Sequence, residues 1–110
     1  MALGDTAAFE VQSLTTLTAA GATSSVELYS HSVTFQVTVS SIGTNVVIRM
    51  EGSLDDTSYF NLDESGIDTT ITSNGTYGYA LINCPVRFIR LRLVSLSGGT
   101  PSVACKVGAL

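Results

Sequence analysis

The only histidine, His31, sits in Tyr29-Ser30-His31-Ser32, where it could act as a base for a neighbouring serine. Nucleophilic catalysis also needs a third group to orient the base. None is placed nearby, so His31 is read as a solvent-facing or turn-stabilising residue. Cys84 and Cys105 lack CxxC spacing, and with one histidine they fall short of a zinc ligand set. They are read as reduced thiols acting as small apolar residues. Asp55, Asp56, Asp63 and Glu64 lie on neighbouring connections and could offer hard oxygen ligands to calcium. Their order is not that of an EF-hand, so they are read as turn formers and solubilisers. No two acids are placed across a cleft as glycoside hydrolysis requires. Gly98-Gly99 has no following lysine and helix, so it is a loop tip rather than a phosphate loop. The expectation is a protein that is not an enzyme, with no metal and no cofactor.

The most unusual cluster is Arg87, Arg90 and Arg92 in Val86-Arg87-Phe88-Ile89-Arg90-Leu91-Arg92-Leu93. Ile89, Leu91 and Leu93 share one face of such a strand, and Phe88, Arg90 and Arg92 share the other. Two readings stay open. The guanidinium groups pair with a carboxylate on the next strand, Glu51 or Glu27, or they face a partner subunit, where arginine tolerates burial better than lysine.

The segments that must carry these residues alternate with period two. In Val33-Thr34-Phe35-Gln36-Val37-Thr38-Val39-Ser40 every odd position is apolar and every even one polar, the pattern of a strand with one face buried. Residues 41–45 read as a turn and 46–52 as the returning strand, with Ile48 and Met50 inward and Arg49 and Glu51 outward. Short strands are expected over 9–18, 26–29, 59–62 and 67–72. Asn74-Gly75 is a hairpin signal that should join 67–72 to 76–82. Residues 86–94 read as a long strand, 95–101 as a loop, and 102–107 as the closing strand with Val103, Cys105 and Val107 inward. No useful window shows helical spacing. The fold class expected is all-β: an antiparallel β-sandwich of jelly-roll or related Greek-key topology, with an immunoglobulin-type sandwich as competitor. Residues 1–8 are expected to be a loose N-terminal arm, and 9–110 a single domain.

The chain of 110 residues is 45% hydrophobic but only 13% charged, against about 25% charged for soluble domains. Serine and threonine replace the missing ions, and hydroxyls cost less to desolvate than charges when a partner covers them. The net charge of −4 argues against nucleic acid, whose binding rests on lysine and arginine. Apolar runs are too short to cross a bilayer, so no membrane partner is expected. The start Met1-Ala2-Leu3-Gly4-Asp5 has neither the charge nor the apolar run of a secretory signal, so folding in the cytoplasm is expected.

Two runs carry a resemblance. Ile48-Arg49-Met50-Glu51-Gly52-Ser53-Leu54-Asp55-Asp56-Thr57-Ser58-Tyr59-Phe60-Asn61-Leu62 is an apolar strand ending in Gly-Ser-x-Asp with aromatics a few residues on, and 86–93 alternates arginine with apolar residues. Together they resemble the sandwich modules of small virion proteins of tailed phages, and the chain looks like a capsid decoration or cement protein. A similar signature occurs in discoidin-like carbohydrate-binding domains, but Asp56 and Tyr59-Phe60 stand here where those have glycine and tryptophan. The first resemblance implies a homotrimer on the capsid surface of a virion, made in the host cytoplasm and bound to the major capsid protein. The expected contacts are the N-terminal arm, through Met1, Ala2, Leu3 and Asp5, and the strand that carries Arg87, Arg90 and Arg92. The alternative is a glycan-binding adhesin module of a tail or fibre, stacking sugars on Tyr29, Tyr59, Tyr77 and Tyr79.

Overall fold

A computed structural model describes residues 3–4, 8–63 and 65–110. Met1, Ala2, Asp5 and Glu64, all named above, lie outside the described residues. Among the described residues the chain forms eight strands and no helix: β1 Glu10–Ser13, β2 Gly21–Ala22, β3 Val26–Glu27, β4 Val33–Ser53, β5 Phe60–Asn61, β6 Thr69–Ile71, β7 Gly75–Leu81 and β8 Phe88–Ala109. Every pairing between these strands is antiparallel. The all-β antiparallel expectation holds. The strands join through β4 and β8 into one continuous sheet.

The centre of that sheet is the pairing of β4 with β8, which runs from Thr34↔Gly108 to Ser53↔Phe88. A strand of 21 residues would span about 70 Å if straight. The longest dimension of the whole molecule is only 41 Å, so both long strands are sharply bent. The bend lies at the register shifts between Ser40 and Ile42 and between Ile42 and Asn45, opposite Ser97 to Gly99. Ser41, Gly98 and Gly99 have φ of 53°, 69° and 61° there.

Two expected connections are therefore corrected. Residues 41–45 are not a turn between paired strands, and 95–101 are not a loop. They are facing parts of β4 and β8, bonded to each other through the bend. The reason lies in the side-chain phase. Val33, Phe35, Val37 and Val39 are buried at odd positions, whereas Val46, Ile48 and Met50 are buried at even ones. An irregular stretch between them flips the phase, so that both halves keep their apolar side inward. The Asn74-Gly75 hairpin is corrected as well. β6 and β7 do not pair with each other; both lie along β4, at Val46 to Ile48 and Val33 to Val39. Asn74 sits where they break, and its Oδ1 accepts a hydrogen bond from the Ile42 amide at 3.0 Å.

The bend divides the sheet into two halves. One pairs β1, the end of β8, the start of β4, and β7; the other pairs β2 and β3, the start of β8, the end of β4, and β5 with β6. Side chains from both halves form one buried cluster, with Phe35, Val37, Val103 and Val107 from the first and Ile48, Ile89, Leu91 and Leu93 from the second. Leu3 departs from the loose arm expected for residues 1–8. It is fully buried, its amide donates to the Glu27 carbonyl at 2.8 Å, and its carbonyl accepts from the Tyr29 amide at 2.6 Å.

The bend also explains Gly43. A Cβ there would lie 2.1 Å from the Gly98 carbonyl carbon, an approach that only glycine permits. Gly43→Ala should therefore destabilise the fold by more than about 3 kcal/mol, read as a fall in the urea midpoint at unchanged slope.

Candidate functional site

The outer face of the second half carries almost all of the arginine. Arg49 and Glu51 alternate outward on β4, and Arg90 and Arg92 do so on β8, because Met50, Leu91 and Leu93 occupy the inward positions. Register then places Glu51 opposite Arg90, and Arg49 opposite Arg92. Glu51 is only 3% exposed. Its Oε1 accepts from Arg90 Nε at 2.7 Å, and its Oε2 accepts from Arg92 Nε at 3.1 Å and from Arg49 Nη1 at 3.5 Å. Asp68, just before β6, takes the other side of Arg49, with Nε at 2.8 Å and Nη2 at 3.0 Å, and also accepts from Asn61 Nδ2 at 3.2 Å.

The connection 54–59 closes over this cluster. The Tyr59 ring lies against Arg90, with the guanidinium carbon 3.6 Å from the ring centroid, and the Tyr59 hydroxyl donates to Asp56. The loop is held by its own carboxylate: Asp55 Oδ1 accepts from the Ser53 hydroxyl and from the amides of Thr57 and Ser58, each at 2.9 Å. The Ser58 and Thr57 amides and the Ser53 hydroxyl hold the Asp55 carboxyl below the usual carboxylate range. Asp63 is held low in the same way by the Ser65 amide and hydroxyl. These acids act as turn formers, as read from the sequence. Among the described residues no three metal-ligating side chains gather.

Of the expected contact residues, the structure brings Arg90 and Arg92 together on Glu51 and sends Arg87 separately to Glu27, at 3.1 Å. That is the first of the two readings of the cluster, structural pairing with Glu51 and Glu27. Leu3 does not face outward as a contact residue; it belongs to the protein's own core. His31 is exposed and serves through its backbone, its carbonyl accepting from the Cys84 amide at 2.7 Å. Cys105 is buried, and desolvation pushes its thiol up to about 12. The tyrosines do not form one stacking surface. Tyr77 and Tyr79 pack against the core opposite Val37 and Phe35, while Tyr59 lies on the outer face against Arg90.

Sequence reasoning missed Arg49 and Asp68 as members of the cluster. The alternation that turns Arg49 and Glu51 outward was visible, but Asp68 reaches them only because β6 lies along β4. It also missed two other surface features. An open apolar groove of about 640 Å³ is lined by Leu54, Phe60, Leu62, Ala80, Ile82 and Val86, among others. The outer face of the first half is nearly free of charge: Thr34, Gln36 and Thr38 of β4, Thr76 and Ala80 of β7, and Ala104 of β8 are all exposed, with Lys106 the cation among them.

No protein-family model matches the chain, and no curated protein matches it in sequence. In structure it is similar to the SPBc2 prophage-derived protein YomS, with a TM-score of 0.57 and 12% identity over 94% of this chain and 97% of that one. At that identity the likeness is one of fold, and it extends over nearly the full length of both chains.

Arg49 holds the Asp68 carboxyl below its ordinary value of 3.8. The folded state then binds fewer protons than the unfolded one, so this contribution is complete above pH 3.8 and is lost as the pH falls below it. Thermal melts should show stability dropping on the acid side of that value, and Asp68→Asn should make the drop shallower while leaving Arg49 with Glu51.

Proposed function

We propose that the chain is a virion structural protein of a tailed phage, a decoration or cement protein that stabilises the head by binding the major capsid protein. The observation that carries this reading is a fold shared end to end with a prophage-derived protein. The order in which the half-strands pair on either side of the bend supports the finer reading of the fold as a jelly roll.

The coat-binding surface proposed here lies away from the arginine strand. Arg87, Arg90 and Arg92 are satisfied by Glu27 and Glu51, and a partner would have to break those pairs to use them. The outer face of the first half needs no such exchange. Its threonine, glutamine and alanine side chains lose little hydration when covered, and a protein present in many copies on a shell gains from such a face. The separation of Tyr59 from Tyr77 and Tyr79 counts against the glycan-binding alternative, since a sugar would not meet them together.

Quantitative mass spectrometry of purified virions from the phage encoding the chain tests the reading. A copy number in fixed proportion to the coat subunits is expected; absence from the particle, or the few copies of a tail component, would refute it. Thr34→Glu and Ala104→Glu, both on the exposed face, should each lower occupancy on shells by roughly tenfold, the effect of about 1.4 kcal/mol for burying an unpaired charge. Arg92→Ala should leave occupancy nearly unchanged.

A further inference from the structure

Strand edges expose unpaired amides and carbonyls, and folded proteins usually blunt them by keeping them short or by placing charge or proline on them. Among the described residues the edge strands here are β1, β2 and β3 on one side and β5, β6 and β7 on the other. Five of the six conform, with two to four residues each, and Leu3 lies beside the β3 edge through its bridge to Leu28. The exception is β7. It has seven residues, GTYGYAL, with no charge and no proline, and among the strands it pairs only with β4.

Its middle residue supplies a second observation. Gly78 lies inside the strand without a positive φ, and a Cβ built on it would meet nothing within 4 Å. Nothing among the described residues therefore calls for glycine at this position. Glycine inside a strand otherwise marks a bulge or the close approach of another backbone, and β7 pairs with β4 in unbroken register from Val33↔Leu81 to Val39↔Gly75. A centre without a side chain leaves the middle of β7 unobstructed for another backbone.

We propose that β7 pairs with β7 of a second copy, antiparallel about a two-fold axis at Gly78, so that the two sheets become one across the dimer. The strand is self-complementary in that register. Gly78 meets Gly78, Thr76 meets Ala80, and Tyr77 meets Tyr79 as an aromatic cross-strand pair. No charge is brought opposite a like charge, although the chain as a whole carries −4. The apolar groove with Leu54 and Phe60 reaches Ala80, Leu81 and Ile82 at the end of the same strand, and Ile82, 74% exposed, adds apolar surface beside the ladder. The assembly is a dimer, where the phage resemblance implied a trimer, and it stands independently of coat binding.

The test is the mass of the purified chain by light scattering across a range of concentrations, with Gly78→Glu and Gly78→Lys as variants. The wild-type chain should run at twice its 11.5 kDa mass; a monomer or a trimer overturns the proposal. Gly78→Glu places two carboxylates across the axis and should raise the dimer dissociation constant about a hundredfold or more. Its circular dichroism should match wild type, because the space around Gly78 is open. A Gly78→Glu protein that stays dimeric overturns the proposal. Mixing the Glu and Lys variants in equal amounts should restore the dimer by joining opposite charges, and failure of the mixture to associate overturns the register about Gly78.

Discussion

The structure depends on keeping one hydrogen-bonded ladder intact through a bend. β4 and β8 pair from one end of the molecule to the other, and every other strand attaches to one of them. The pairing continues on both sides of the bend and through it. The bend is absorbed by register shifts, by the positive φ of Ser41, Gly98 and Gly99, and by the close approach of Gly43 to Gly98. The Asn74 side chain bonds the Ile42 amide at the same level. Because the shift also changes the inward phase, a single bend keeps Phe35 and Ile48 in one core although one is odd and the other even.

The two halves then divide the charge between them. The second half carries Arg49, Arg90 and Arg92 around a nearly buried Glu51, with Asp68 on Arg49 and Tyr59 on Arg90. A carboxylate removed from water needs compensation of this kind, and three guanidinium groups with fixed donor directions provide it. The first half has little charge on its outer face, so its surface is wetted by hydroxyl and amide groups. One half is thus occupied with internal ion pairing, while the outer face of the other is nearly neutral.

Much of this was legible in the residues, and the failures share one cause. The alternation over 33–40, 46–52, 86–94 and 102–107 gives the strands and their inward faces, and leaves pairing of the arginines with Glu51 or Glu27 as one of two open readings. Glycine, serine and asparagine within 41–45, 73–75 and 95–101 read as turn, hairpin and loop because they are the residues that turns use. The same residues permit the backbone geometry of a bulge, and only long-range pairing distinguishes a chain that reverses from one that bends and continues. Leu3 was read as part of an arm because a single leucine among small residues has no period; its burial comes from a bridge to Leu28 that no local pattern announces. Asp68 and Gly78 were silent for the same reason, since each acquires meaning from a neighbouring strand or from the absence of one.

If the continuous ladder is the organising constraint, the sheet should open as a unit. Native-state hydrogen exchange followed amide by amide tests this directly. The account predicts that the core amides of β4 and β8 on both sides of the bend, around Val37 and Cys105 and around Ile48 and Leu91, share one opening free energy and lose protection together as denaturant is added. Two distinct opening energies, with one half exchanging well before the other and the boundary at residues 41–45, would contradict it.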